Sequence, residues 1–385
     1  MDPQMSAQPL QADPDPYPNF RWLREHDPVS LVAEDESSCT YLVTNFADVR
    51  AALTDVRLDA DGIERDTEVI GADPAEHTRL RKIMSGLLPN TLVRRYRPRI
   101  AEICHATLDA FAARGHADLM AEYAIRVPVA VIHELVGFPA ELQEPPEVCM
   151  RHFYLASFAL RRDPSSMAFI DDYLRRIVEY KRGAPGDDMT TELLAALGRG
   201  DLRDEREVRT ILYSVIGGGH VSTGPFIAAA ALRLMENPEQ LADVLADPEL
   251  WPAVVEESLR YDSPLQFARN RYATAGARVG GCPMAEGDRA LLALAAANRD
   301  PEVYPDPERF DLHRPVVPHL AFGQGTHYCP GSQLARAEGQ IALKILFDRL
   351  PDLRLAGDDP IRWTYGPALR GPVAVPVTFT PEPAA

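Results

Sequence analysis

Positive charge is scarce in this chain. Across 385 residues, 40 lysines and arginines stand against 57 acids, giving a net charge of −17. A protein that grips phosphates needs a basic face, so nucleic acid is excluded as a partner. Cysteine is sparse too. Cys39, Cys104, Cys149, Cys282 and Cys329 are odd in number and irregularly spaced. That pattern argues against a disulfide framework and for a reducing cytoplasm, and no Cys-x-x-Cys or His/Cys cluster has zinc spacing. No apolar run approaches the roughly 20 residues that cross a bilayer. The opening stretch, residues 1–17, is polar, acidic and proline-rich, unlike a signal peptide or a membrane anchor. A soluble, cytoplasmic protein with no membrane contact is expected.

A hydrophobic content of 46% is ample for a large core, and the length alone would allow two domains. Periodicity predicts one domain over 17–385 behind a tail over 1–16. Helices are expected at 19–25, 46–53, 77–88, 98–113, 125–136, 148–160, 167–181, 189–197, 206–236, 239–245, 252–261 and 332–350. Pro98 suits the first turn of its helix. Strands are expected at 41–44, 265–272, 277–279 and 290–294. Residues 56–76 and the proline-rich stretch 301–318 read as irregular, and Gly183-Ala184-Pro185-Gly186 as a break between helices. The balance is mainly α with a minor β region.

The segment Phe322-Gly323-Gln324-Gly325-Thr326-His327-Tyr328-Cys329-Pro330-Gly331 places one cysteine in a glycine-rich loop just ahead of an amphipathic helix. Glycine lets the backbone approach a large flat ligand. The positive end of the following helix favours a thiolate, which can grip a metal from one side. Phe-Gly-x-Gly-x-His-x-Cys-x-Gly resembles the haem-binding signature of the cytochrome P-450 family. The resemblance implies a triangular, mainly helical domain with haem b (iron protoporphyrin IX) between a long central helix and the cysteine loop. It implies Cys329 as the iron ligand, with Phe322, Gly323 and Gly331 shaping the loop around the cofactor. The absence of an anchor points to the soluble, bacterial type.

Other segments match the family in order. Glu257-Ser258-Leu259-Arg260 is similar to its Glu-x-x-Arg, a buried pair that ties a helix to the meander, here through Arg309 in Asp306-Pro307-Glu308-Arg309-Phe310. In Asp73-Pro74-Ala75-Glu76-His77-Thr78-Arg79-Leu80-Arg81, His77 and Arg81 are four apart and share a helix face. The resemblance makes them partners of the haem carboxylates, with Arg271 and His327 completing the set.

Gly217-Gly218-Gly219-His220-Val221-Ser222-Thr223-Gly224-Pro225 lies in the middle of the longest helix. Each glycine weakens a helix by about 1 kcal/mol, and Pro225 cannot donate to the carbonyl of Val221. A kink with an open groove is expected, and oxygen bound to the iron needs such space. The family carries an acid and then threonine here; this chain has Val221 and Ser222. Ser222 can still hold a water by its hydroxyl. His220 could supply protons, although two positions along a helix point elsewhere. Val221-Ser222-Thr223-Gly224, together with Cys329-Pro330-Gly331-Ser332, resembles the aryl-coupling members of the family, the mycocyclosin synthase type. These join two tyrosine rings of a cyclic dipeptide and also lack the acid. Pro330 removes one backbone donor from the sulfur, which either leaves more charge on it or merely stiffens the loop.

By resemblance, substrate contacts fall in 61–71, in 153–158, in 218–222 and in 265–268, and at the turn 367–370, with Phe153, Val221, Leu265, Phe267 and Leu369 as candidates. Gly218, His220, Val221 and Ser222 are the candidate catalytic positions. The expected function is that of a haem-thiolate oxidoreductase of secondary metabolism, fed by ferredoxin and ferredoxin reductase. It would use O2 on a small-molecule or short-peptide substrate, tilted toward C–C or C–O coupling of tyrosine- or tryptophan-bearing groups. Ordinary hydroxylation of a polyketide or other scaffold is one alternative, and a non-catalytic haem sensor or carrier is another.

Overall fold

A 3.6-residue apolar period with capping residues at its ends builds most of this molecule. The structure, a computed structural model, describes residues 15–35, 37–60, 74–157, 163–315, 317–364 and 368–383. Its helices are α1 (Tyr17–His26), α2 (Phe46–Ala52), α3 (Pro74–Leu87), α4 (Asn90–Asp109), α5 (Arg126–Val136), α6 (Pro146–Ser157) and α7 (Pro164–Gly183), followed by α8 (Met189–Arg199), α9 (Glu205–His220), α10 (Thr223–Glu236), α11 (Pro238–Ala246), α12 (Trp251–Tyr261), α13 (Leu294–Ala297) and α14 (Ser332–Arg349). Asp163, Asp188 and Asp204 begin α7, α8 and α9, each accepting a backbone N–H three residues on. Gly137 ends α5 in the left-handed conformation, φ 89°, which spares a side chain there.

The strands are β1 (Val29–Glu34), β2 (Cys39–Val43), β3 (Leu58–Asp59), β4 (His116–Asp118), β5 (Arg271–Ala273), β6 (Arg278–Val279), β7 (Cys282–Pro283), β8 (Arg289–Leu292), β9 (Arg354–Leu355) and β10 (Pro376–Thr378). The larger sheet runs β1-β2-β8-β5-β3, with β2 and β8 parallel and the other neighbours antiparallel. A three-stranded sheet runs β4-β10-β9. The main hydrophobic cluster fills the helical part, around α10, whose Phe226, Ile227, Ala228, Ala230 and Leu234 are buried. A second cluster backs the larger sheet with Val43, Val49, Leu58, Ala290 and Leu292. The mainly α expectation holds, and the long helix is interrupted at Val221 and Ser222, as the glycines and Pro225 imply.

Several expectations need correction. Pro98 lies inside α4, not in its first turn. It is tolerated because this side of the helix is exposed, so the carbonyl that loses its N–H partner can turn to water. The strand expected at 265–272 is only Arg271–Ala273, and Leu265 makes one isolated bridge to Leu369. The span Glu205–Glu236 is long and apolar enough to cross a membrane by length and composition, against the expectation from the sequence. Most of that span is buried inside the fold, so neighbouring helices take up its apolar surface.

Candidate active site

The cysteine loop is shaped by its backbone. Gly323 and Gly325 have φ of 68° and 74°, values that other residues rarely adopt. A Cβ at Gly325 would press on the Leu53 carbonyl at 3.2 Å and on Thr54 Cγ2 at 3.1 Å. Cys329 N–H donates to the Phe322 carbonyl at 2.9 Å, which folds the loop back on itself. The half-buried Cys329 sits three residues ahead of α14. Burial pushes its thiol up; the Gly331 N–H, Arg81 and Arg336 pull the other way, toward the thiolate. Pro330 removes one donor, and Gly331 supplies the one that remains.

Beside this loop, basic side chains from three elements converge. The rings of His77 (α3) and His327 lie 4.3 Å apart at 30°. Arg81, one turn along α3, donates to the Tyr328 carbonyl. Arg271 is buried on β5, where its register opposite Ala290 places it. Burial, then Arg81 and Arg271, lower the pKa of His77. Burial, then Arg271, His77 and Arg81, bring His327 down to about 3. His77 Nε2 and His327 Nδ1 are buried with no hydrogen-bond partner among the described residues. Two orphaned imidazole nitrogens among guanidinium groups call for carboxylates, because buried polar atoms are otherwise paired. The two acid arms of haem meet that need, so the residues fit the cofactor.

The glycine run around the helix interruption divides into two roles. Cβ atoms at Gly217, Gly219 and Gly224 would meet Phe153 at 3.0 Å, Ile132 at 2.3 Å and the Ala124 carbonyl at 3.1 Å, so these glycines serve close packing. Gly218 is exposed in the last turn of α9, and a Cβ there would meet nothing within 4 Å. Ser222, one turn on, is partly exposed, so Gly218 and Ser222 border the same open face. Thr223, a member of the matching stretch with no role expected of its own, spans the interruption by donating its hydroxyl to the Gly219 carbonyl at 3.0 Å. The Ser-Thr pair ahead of Gly224-Pro225 was the available signal. A Gly218→Ala variant should gain about 0.5–1 kcal/mol of stability from helix propensity. Gly339→Ala in α14 should lose about 1–3 kcal/mol, since its Cβ would lie 2.5 Å from the Phe226 ring. Urea unfolding midpoints of the two variants test this division; equal shifts would refute it.

The structure does not bring His220 to the face that Gly218 and Ser222 share. His220 is buried against Phe153, edge to face at 5.2 Å, with Nδ1 2.5 Å from the Ile216 carbonyl. Burial brings its pKa down to about 4 against the opposing pull of the Ile216 and Cys149 carbonyls, so the ring is neutral at pH 7. Val221 is fully buried in the main core. Phe153 is fully buried as well, tilted against Tyr213 at 5.8 Å. Phe267 packs on Phe20 at 6.1 Å, in the cluster around α1. Both behave as core, because large aromatic rings in reach of an apolar cluster bury there. Leu265 and Leu369 do face each other across their bridge, flanked by Gln266 N–H to Ala368 at 2.8 Å and Arg370 N–H to Pro264 at 2.8 Å. Residues 61–71, Phe158 and Pro367 lie outside the described residues.

Glu257 and Arg260 form the expected buried pair, with Nε to Oε2 and Nη2 to Oε1 both at 2.7 Å. The expected third member is wrong. The Arg309 side chain is exposed, and that residue contributes only its carbonyl, to Arg260 Nη2 at 3.1 Å. Arg314 comes to Glu257 instead, at 3.5 Å, and donates to the carbonyls of Pro305, Asp306 and Arg309. The turn at Asp306, φ 48°, closes the meander, and the arginine used stands five positions after the arginine expected.

Residues 148–351 match the family described as Cytochrome P450. Nocardicin C N-oxygenase of Nocardia uniformis subsp. tsuyamanensis is 37% identical over 388 residues, covering 95% of this chain and 96% of that protein. Cytochrome P450 monooxygenase PikC of Streptomyces venezuelae is 35% identical over 384 residues, covering 95% and 91%. The solved structure of CxnD, titled a cytochrome P450 enzyme for C–S bond formation in chuangxinmycin biosynthesis, has a TM-score of 0.87 at 29% identity and covers 96% of each chain. With the cysteine loop, the interrupted helix and the buried Glu257–Arg260 pair in the same order, the chain belongs to the cytochrome P450 family of enzymes.

Proposed function

We propose that this enzyme oxidises a small natural product with dioxygen, taking electrons from a ferredoxin and its reductase and holding haem b through Cys329. The observation that carries the reading is the pair of unpartnered nitrogens, His77 Nε2 and His327 Nδ1, stacked where α3 packs on the loop that bears Cys329. Haem bound there supplies the iron at which dioxygen is reduced. Cys329 gives the thiolate, favoured by the Gly331 N–H and by Arg81. His77, Arg81, Arg271 and His327 hold the two carboxylates by charge-assisted hydrogen bonds. Gly218 keeps the space open for oxygen, and the Ser222 hydroxyl holds a water or passes a proton into it. The relatives, an N-oxygenase of nocardicin C and the monooxygenase PikC, support a natural-product substrate and speak against a non-catalytic sensor.

A second reading is coupling of aromatic rings in a tyrosine- or tryptophan-bearing peptide. Val221 and Ser222 favour it, since the usual acid is absent at the proton-delivery position. The C–S bond formation of CxnD lends it support. Turnover under ¹⁸O2 with ferredoxin, reductase and a panel of polyketides and aromatic cyclodipeptides separates the two. One labelled oxygen in the product means insertion, and loss of two hydrogens without label means coupling. No electron consumption by the haem-loaded enzyme with any compound would overturn both. Replacing Ser222 by Ala should cut product formed per electron consumed, on the order of 10²-fold, the low end for a positioned proton donor. Unchanged efficiency removes Ser222 from the proton path.

A further inference from the structure

Arg336 lies in the second turn of α14. Glu256 of α12 grips its guanidinium with both oxygens, Nε to Oε1 at 2.6 Å and Nη2 to Oε2 at 3.0 Å. The same Oε2 lies 3.2 Å from Nε2 of His319, a side chain only 3% exposed. Glu256 stays a carboxylate: burial pushes its pKa up, but the His319 and Arg336 contacts outweigh this and hold it at about 2. Locked this way, the guanidinium lies over the ring of Phe322, 4.5 Å from its centroid. Its Nη1 reaches the Tyr328 hydroxyl at 3.4 Å. His319 and Tyr328 flank the same ring, with centroids at 5.7 Å and 6.4 Å. Phe322 in turn accepts the Cys329 N–H. A cation over an aromatic face is attracted by the ring quadrupole, and a bidentate carboxylate fixes its place.

Resting on the reading of Cys329 as iron ligand, we propose that Arg336 is a positioning residue. Clamped by Glu256 over Phe322, it turns the positive end of that ion pair toward the cysteine loop and raises the reduction potential of iron bound there. A nearby cation stabilises the state that carries one more electron, and the surroundings of a thiolate ligand tune its iron. An arginine kept for docking a partner protein would present its guanidinium to solvent. This side chain is 22% exposed, and its fork is taken by Glu256.

Redox titration of the haem-loaded enzyme tests the proposal. Arg336→Met keeps much of the bulk over Phe322 and removes the charge. It should shift the ferric/ferrous equilibrium at least tenfold toward ferric, which is about 59 mV for one electron, with the thiolate-type band of the reduced carbonyl complex retained. Arg336→Lys should restore most of the shift. Glu256→Gln removes the compensating anion and should not lower the potential. A potential unmoved in Arg336→Met, with weaker ferredoxin binding instead, overturns the proposal in favour of docking. Failure of lysine to restore the potential overturns it in favour of packing. A wild-type carbonyl complex without the thiolate band would defeat the Cys329 reading itself, a result distinct from either.

Discussion

A Cys329→Ser variant is expected to fold and to lose the red-shifted Soret band of the reduced carbonyl complex completely. The loop does not depend on the sulfur for its shape. Cys329 N–H to Phe322 at 2.9 Å, Gly323 N–H to Leu320 at 2.8 Å and Tyr328 N–H to Gly325 at 3.1 Å are all backbone bonds. The side chain is half-buried and its replacement is nearly isosteric, so a stability change within about 1 kcal/mol is expected. What disappears is the ionisable group, since a serine hydroxyl does not deprotonate near neutrality. No other cysteine is placed to substitute. Burial pushes Cys104 and Cys149 up to about 12, and Cys39 and Cys282 sit on β2 and β7 of the sheet region. Spectra of the variant and the wild type, with circular dichroism as the check on folding, decide the matter. A band that survived the substitution would mean that the iron is held by a different residue.

The parts of the site that the sequence disclosed are those fixed by backbone chemistry. Glycines at 323 and 325 announce positive φ, and a glycine run ending in Pro225 announces an interrupted helix; both follow from local sterics. Residues spaced along a helix, such as His77 with Arg81 or Glu257 with Arg260, are legible for the same reason. What stayed hidden depends on how coil segments close in space. Arg309 and Arg314 stand in the same irregular stretch, and only the turn at Asp306 decides which one reaches Glu257. Phe153 and Phe267 carry no mark that separates core from pocket; the neighbours at His220 and Phe20 decide it. β1 also went unread, because its register slips between Leu31 and Ala33 and blurs the alternation that marks a strand. The clamp on Arg336 joins α12, the loop and α14, a meeting that no spacing rule encodes.

The second large effect is expected from Arg260→Met. The guanidinium is 3% exposed and serves four partners at once. It makes two bonds to Glu257 and donates to the carbonyls of Asn298 at 3.0 Å, Pro307 at 2.9 Å and Arg309 at 3.1 Å. Methionine fills the volume and leaves a buried carboxylate whose remaining partners are the Asp311 N–H at 2.8 Å and Arg314. Breaking one side of a buried pair costs about 3–5 kcal/mol, a large share of a domain's stability. The damage also has a route to the cofactor site. Asn298, held by Arg260 through its carbonyl, accepts the Leu320 N–H on Oδ1 at 2.7 Å, and Leu320 lies two residues ahead of Phe322. Loss of the anchor should therefore lower haem retention as well as the urea midpoint. A Glu257→Leu/Arg260→Met double variant removes the uncompensated charge, so its cost should be less than the sum of the two single costs. It should still be destabilised, since the three carbonyls lose their donor and no apolar side chain replaces it. A single variant that lost under about 1 kcal/mol and kept its haem would show that the meander holds its place without this arginine.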